Sequence, residues 1–203
     1  MVADTRAALG RGDVVLVDTC AAKMWMARLY PTYQPNTCLI SNGLSTMAFA
    51  LPGALGVRLA QPDSKVLAVI GDGAFLMSSQ EIETAVREQI PPVVLLCEGG
   101  GYGWIEWKMD LELGEHDYVA FTNPDVVKYA ESFGAKGCRA SSAEGLLPTC
   151  APRSTRRVCP SSPARWTRRE PAPHRRPGTA RRRAVASVPW LLAVSRPGNY
   201  VDD

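Results

Sequence analysis

Histidine is nearly absent from this chain: of 203 residues only His116 and His174 are histidines. That is too few for a histidine-built metal centre, and neither lies near a nucleophile motif, so a Ser/His/Asp hydrolase finds no support. The six cysteines (20, 38, 97, 138, 150 and 159) form no CxxC and no paired spacing. Reduced, mostly packed thiols in a cytoplasmic protein are therefore expected. No apolar run approaches the roughly 20 residues of a membrane span. Met1 to Gly10 is polar and lacks the apolar stretch of a secretory leader. Lysine is missing altogether from residues 151–203.

That last absence marks a division. Residues 1–150 carry 11 Lys and Arg against 17 Asp and Glu, a balance of −6; residues 151–203 carry 12 Arg against 3 acids, a balance of +9. The overall +3 averages two unlike regions. A domain over residues 1–149 and an Arg/Pro-rich tail over 150–203 are expected.

What the first region does contain is organised around Gly71 to Gly103. Val66-Leu67-Ala68-Val69-Ile70 is short, unbroken and rich in β-branched residues, the pattern of a buried parallel strand. It runs into Gly71-Asp72-Gly73-Ala74-Phe75, which puts an acid at the carboxyl end of a strand, where open α/β sheets place ligands. The flanking glycines leave room for a large anionic group. Ser78-Ser79-Gln80-Glu81 has the form of a capping box and predicts a helix start. Val93 to Cys97 predicts a second buried strand, closed by Glu98-Gly99-Gly100-Gly101. Two adjacent strand ends, one with a carboxylate and one with a glycine-rich turn, suit a diphosphate held through magnesium. That ion takes about six oxygens and draws one or two from carboxylates.

The rest alternates in the same way. Strands are expected at Asp13–Asp18, Thr37–Ser41 and Ala135–Ala140, and helices at Ala21–Tyr30, Thr46–Ala60 and Tyr102–Leu113. The Thr46–Ala60 helix should be buried and kinked at Pro52. Asn123-Pro124-Asp125 predicts a cap with proline in the first helical position, opening a helix through Phe133. Ser141–Glu144 predicts the cap of a further helix. Strands alternating with helices imply an α/β domain with a doubly wound parallel sheet.

At this point the residues resemble a family. Gly71-Asp72-Gly73, a spacer of 24 residues from Ala74 to Cys97, and a terminal pair at Glu98-Gly99 are similar to the cofactor motif of thiamine-diphosphate enzymes. Asn42-Gly43-Leu44-Ser45-Thr46-Met47-Ala48-Phe49-Ala50-Leu51-Pro52 resembles the helix-opening segment of the acetolactate synthase group, and Asp125 to Ala135 is also like it. The resemblance spans about residues 12–149. It implies thiamine diphosphate and Mg2+ as cofactors, the metal being held by Asp72, position 99 and the carbonyl of Gly101. It implies cofactor contacts at Leu44, Ser45, Met47, Gly71, Asp72, Gly73, Ala74, Gly101 and Tyr102, with Met47 propping the thiamine into its bent form. Periodicity alone makes Met47 a core residue. Two departures stand out. Gly99 has no side chain to give the metal, with water or Glu98 as substitutes and Glu98 expected on the wrong side of the strand. The turn after the first strand, Thr19-Cys20-Ala21-Ala22, lacks the glycine and histidine that help hold the diphosphate.

The implied parent reaction decarboxylates pyruvate and transfers the two-carbon unit to a 2-oxo acid. The family's activating glutamate lies on another domain, so this chain is expected to be inactive alone and to need a homo-oligomer or a chain supplying that half. The alternatives are another 2-oxo-acid decarboxylase or carboligase, and a non-catalytic assembly or binding module. The tail, with eight prolines in residues 151–203, admits three accounts. A basic arm for nucleic acid is disfavoured by the absence of lysine and of interleaved aromatics. A disordered linker is the second. The favoured one is a frame-shifted end of a GC-rich gene, which would cost the sheet its last strand.

Overall fold

The computed structural model describes residues 1–140 and 190–195. Its centre is one six-stranded parallel sheet in the order β2-β1-β3-β4-β6-β5. The strands are β1 (Val14–Val17), β2 (Cys38–Ile40), β3 (Val66–Gly71), β4 (Val93–Glu98), β5 (Lys136–Ala140) and β6 (Trp190–Ser195). The helices are α1 (Val2–Ala8), α2 (Ala21–Leu29), α3 (Ala50–Ala60), α4 (Asp72–Ser78), α5 (Glu81–Arg87), α6 (Gly103–Leu113) and α7 (Val126–Ser132). None of the described helices is long and apolar enough to cross a membrane.

The central strands are apolar at every position because both faces are covered. Val14, Leu16, Val66, Ala68, Ile70, Val94 and Leu96 pack with Ala50, Leu51, Ala54, Phe75 and Ile82 on one side. Val15, Val17, Leu67, Val69 and Leu95 pack with Ala22, Met26 and Tyr30 on the other. Alternate side chains of a strand point to opposite faces, so a strand buried on both shows no polar alternation. Phe75 is fully buried in the first layer, worth about 2–3 kcal/mol for its side chain.

From β1 the chain goes outward to β2, then returns to place β3 on the opposite side of β1. That reversal opens a crevice at the carboxyl ends of β1 and β3, the place where open α/β sheets bind ligands.

Four expectations are corrected. The sheet is not short of its last strand: Trp190–Ser195 pairs in parallel with β4 on one side and β5 on the other. The run Trp190-Leu191-Leu192-Ala193-Val194 is a continuous apolar string, and such a strand carries no period to find. The origin of the tail and the Ser141–Glu144 helix lie outside the described residues.

Helix α3 begins at Ala50, not Thr46, because Ser45 and Ala48 have positive φ angles of 48° and 66°, which a right-handed helix does not admit. Pro52 thus falls in the first turn, where its missing N–H costs nothing. The Ser78–Glu81 segment starts no helix by side-chain capping. Helix α4 already begins at Asp72, and Gln80 precedes α5 without a side-chain cap. Finally, Asp125 rather than Asn123 caps α7, accepting from the Val127 and Lys128 amides. Proline 124 lies outside the helix.

Candidate functional site

Two aspartates close the strands that flank the crevice. Asp18 follows β1 and is fully buried. Its Oδ1 accepts from the Thr19 amide at 2.8 Å and the Ala48 amide at 3.1 Å, and its Oδ2 accepts from the Ala50 amide at 2.7 Å. The carboxylate caps α3 from a different strand and fixes the strained segment before it. Burial pushes the Asp18 carboxyl above its ordinary value, and these amides pull it back. The sequence pattern gave no hint of this role, because a cap normally precedes its own helix.

Asp72 follows β3 as the first residue of α4 and is 4% exposed. Its Oδ1 accepts from the Gly73 amide at 2.9 Å. Its Oδ2 accepts from the Gly99 and Gly100 amides, each at 2.7 Å, and from Asn123 Nδ2 at 2.8 Å. The turn after β4 therefore folds over the acid at the end of β3. Strand register puts the two side by side, with Gly71 opposite Cys97. Gly100 has φ 71°, and Gly101 forms an isolated antiparallel bridge with Ala120. The Tyr102 amide donates to the Val119 carbonyl at 2.9 Å and the Phe121 amide to the Gly100 carbonyl at 3.0 Å. This second segment, 119–121, anchors the turn.

The glycines of Gly71-Asp72-Gly73 have a different local reason from the expected one. A Cβ on Gly71 would lie 2.9 Å from Cys20 Cβ, and one on Gly73 would lie 2.6 Å from Tyr102 Cε1. Packing against protein, not only space for an anion, excludes side chains there. Gly99 is the reverse case: a Cβ on it would meet only the Gly101 carbonyl oxygen, at 4.0 Å. Glu98 is turned away to Arg139 on β5. Burial pushes the Cys97 thiol up to about 12, so no thiolate forms beside the site near neutral pH.

The other expected contacts lie on the loop between β2 and α3. Leu44 is 97% exposed, Ser45 sits at positive φ, and Met47 is half-buried against the core layer of Leu51 and Phe75. Lys23, from α2, reaches this loop: its Nζ donates to the Ser41 carbonyl at 2.8 Å and to Ser45 Oγ at 3.1 Å. The fold thus brings Gly71, Asp72, Gly73 and Ala74 together with Gly99, Gly101 and Tyr102. It sets Leu44, Ser45 and Met47 on the neighbouring strand-end loop. Asp18, Lys23 and Asn123 were not singled out by sequence. Asn123 was legible only as a cap, since its partner is 51 positions away.

These oxygens suit a hard divalent ion. Asp72 gives a carboxylate, Gly101 a carbonyl close to the open space at Gly99, and Asn123 Oδ1 is buried without a hydrogen-bond partner. An acid at a parallel-strand end under a glycine turn is an arrangement of the kind in which open α/β sheets receive ligands. Comparison with known proteins makes the class specific. Residues 18–151 match the family described as thiamine pyrophosphate enzyme, C-terminal TPP binding domain. The chain belongs to this family, as an acetolactate synthase-type C-terminal domain whose cofactor is thiamine diphosphate, bound in such domains normally with Mg2+.

Among its relatives is an acetolactate synthase of Bacillus subtilis (strain 168), 40% identical over 146 residues, covering 72% of this chain and 26% of that protein. The catabolic acetolactate synthase of Raoultella terrigena is 40% identical over 138 residues, covering 68% and 25%. The chain spans about a quarter of the length of these curated relatives. In structure it is similar to the thiamine diphosphate-dependent 4-hydroxybenzoylformate decarboxylase of Rhodococcus jostii RHA1. The TM-score is 0.73 at 21% identity, covering 96% of this chain and 31% of that one, which speaks for the fold.

Proposed function

We propose that this chain forms the diphosphate- and metal-holding domain of an acetolactate synthase-type enzyme. The domain takes in residues 1–140 and the strand Trp190–Ser195, so the boundary expected at residue 149 does not hold. The observation that carries this reading is the closure of the Gly99–Gly101 turn, which follows β4, over Asp72 at the end of the neighbouring β3. In it, Asp72 and the Gly101 carbonyl hold the divalent ion. Gly71, Gly73, Ala74 and Tyr102 line the diphosphate, and Leu44, Ser45 and Met47 support the rest of the cofactor. Lys23 brings a cation to the loop that carries Ser45, which complements an anionic ligand where the turn after β1 has no histidine.

When bound, thiamine diphosphate supplies the carbon nucleophile for decarboxylating a 2-oxo acid such as pyruvate and passing on the two-carbon unit. The residues described here bind and orient it, and the group that activates it comes from another domain. Exposed Trp104, Ile105, Trp107, Leu111 and Leu113 on α6, a helix with no buried residue, support a contact with that domain or with a second copy. A cytoplasmic setting and no role in nucleic-acid binding complete the reading. A non-catalytic assembly module is the second reading, favoured by the lack of a side chain at Gly99.

Thermal unfolding of the full chain decides between them. Thiamine diphosphate with Mg2+ at about a hundred times Kd should add about 2.7 kcal/mol of stability and raise Tm. Thiamine, which lacks the phosphates, should not. No shift with either contradicts cofactor binding and leaves the assembly module.

A further inference from the structure

Asn123 is tied to the site by one end only. Its Nδ2 donates to Asp72 Oδ2 at 2.8 Å, while its Oδ1 is buried with no hydrogen-bond partner. An unpaired buried acceptor is a cost, and native proteins rarely leave one without a reason. The amide's other end, Nδ2, is the atom that meets the carboxylate assigned to the metal. Nearby, Gly99 presents open space with only the Gly101 carbonyl within 4.0 Å. A half-turn about the soft terminal torsion of the amide exchanges its nitrogen and oxygen. The oxygen would then stand at the same 2.8 Å from Asp72 Oδ2. Two oxygens so close are tolerated when a cation binds both. Neighbouring ligands of an octahedral ion with bonds of 2.0–2.1 Å lie about 2.9 Å apart.

We propose that Asn123 supplies an amide oxygen to the divalent ion held by Asp72 and the Gly101 carbonyl, in place of the side chain that Gly99 lacks. The proposal rests on the cofactor-binding reading above. In the metal-free chain the amide nitrogen secures Asp72; in the loaded chain the oxygen faces the ion. The ligand thus comes from the segment before α7 and not from the turn after β4. The ion then draws three parts of the chain together: the end of β3, the glycine turn and the approach to α7.

The test is a titration of the full chain with Mn2+ in the presence of thiamine diphosphate, followed by electron paramagnetic resonance of the free ion. Manganese prefers the same octahedral oxygen surroundings. Asn123→Ala should weaken Mn2+ at least tenfold, on the scale of lost metal-site groups. Adding Gly99→Asp to Asn123→Ala should restore the affinity. If Asn123→Ala does not fold, Asn123→Asp decides. It sets two carboxylates together, so Tm should fall without metal and rise with Mn2+ by more than in the unaltered chain. Asn123→Ala binding Mn2+ within twofold of the unaltered chain, or Asn123→Asp showing no added metal response, overturns the proposal and spares the cofactor reading. An unaltered chain that takes up no Mn2+ overturns both.

Discussion

Asp18 and Asp72 end neighbouring parallel strands, are both buried, and both accept several backbone amides, yet they are built for different ends. Asp18 accepts from the amides of Thr19, Ala48 and Ala50, and the Phe49 backbone adds to them. Its carboxylate is consumed in shaping the segment before α3. Asp72 is held by three glycine amides and one side-chain amide that has an unpaired oxygen. Beside it Gly100 has positive φ, and a Cβ added to Gly99 would meet only the Gly101 carbonyl oxygen, at 4.0 Å. A buried acid is therefore not by itself a functional sign. The distinction lies in whether its partners leave unspent oxygen and room beside it.

The largest effect should come from Asp18→Ala. It strips acceptors from amides that include the start of α3, and charge-assisted bonds of this kind are worth about 1.5–3 kcal/mol each. A loss of roughly 3 kcal/mol in urea unfolding is expected, and a loss under about 1 kcal/mol would break the comparison. Asp18 also sets a pH dependence. Burial raises its folded value above 3.8, so the folded chain holds this proton to higher pH than the unfolded chain. Its contribution is complete below pH 3.8 and is lost as pH rises through the folded value. Urea midpoints of Asp18→Asn should lack that decline.

A smaller effect sharpens the Asp72 side. Gly73→Ala forces a Cβ to 2.6 Å from the Tyr102 ring, which is itself packed on Phe121 with centroids 5.0 Å apart. Overpacking of this kind costs about 1–3 kcal/mol. Tyr102→Ala in the same chain should recover part of it in a double-mutant cycle; simple additivity would show that the ring is not the obstacle.

Much of this was legible in sequence. Val66–Gly71 and Val93–Glu98 are strands as their apolar runs required, because burial on both faces leaves its mark at every position. The meeting of Asp72 with Gly99 and Gly100 followed from two strands being neighbours. The rest depended on choices that local pattern does not record. Two residues with positive φ, Ser45 and Ala48, delayed α3, although neither is a glycine. Asp18 capping a distant helix and Asn123 reaching Asp72 are contacts across 32 and 51 positions. Trp190–Ser195 was hidden by the arginines and prolines around it, which dominate composition but do not interrupt six residues of strand.

Calorimetric titration of thiamine diphosphate with Mg2+ into the unaltered chain and into Asp72→Ala tests the central claim most directly. Binding that requires the diphosphate and disappears in Asp72→Ala is the predicted result. Binding of equal strength in both proteins would contradict the account and move the ligand away from the end of β3.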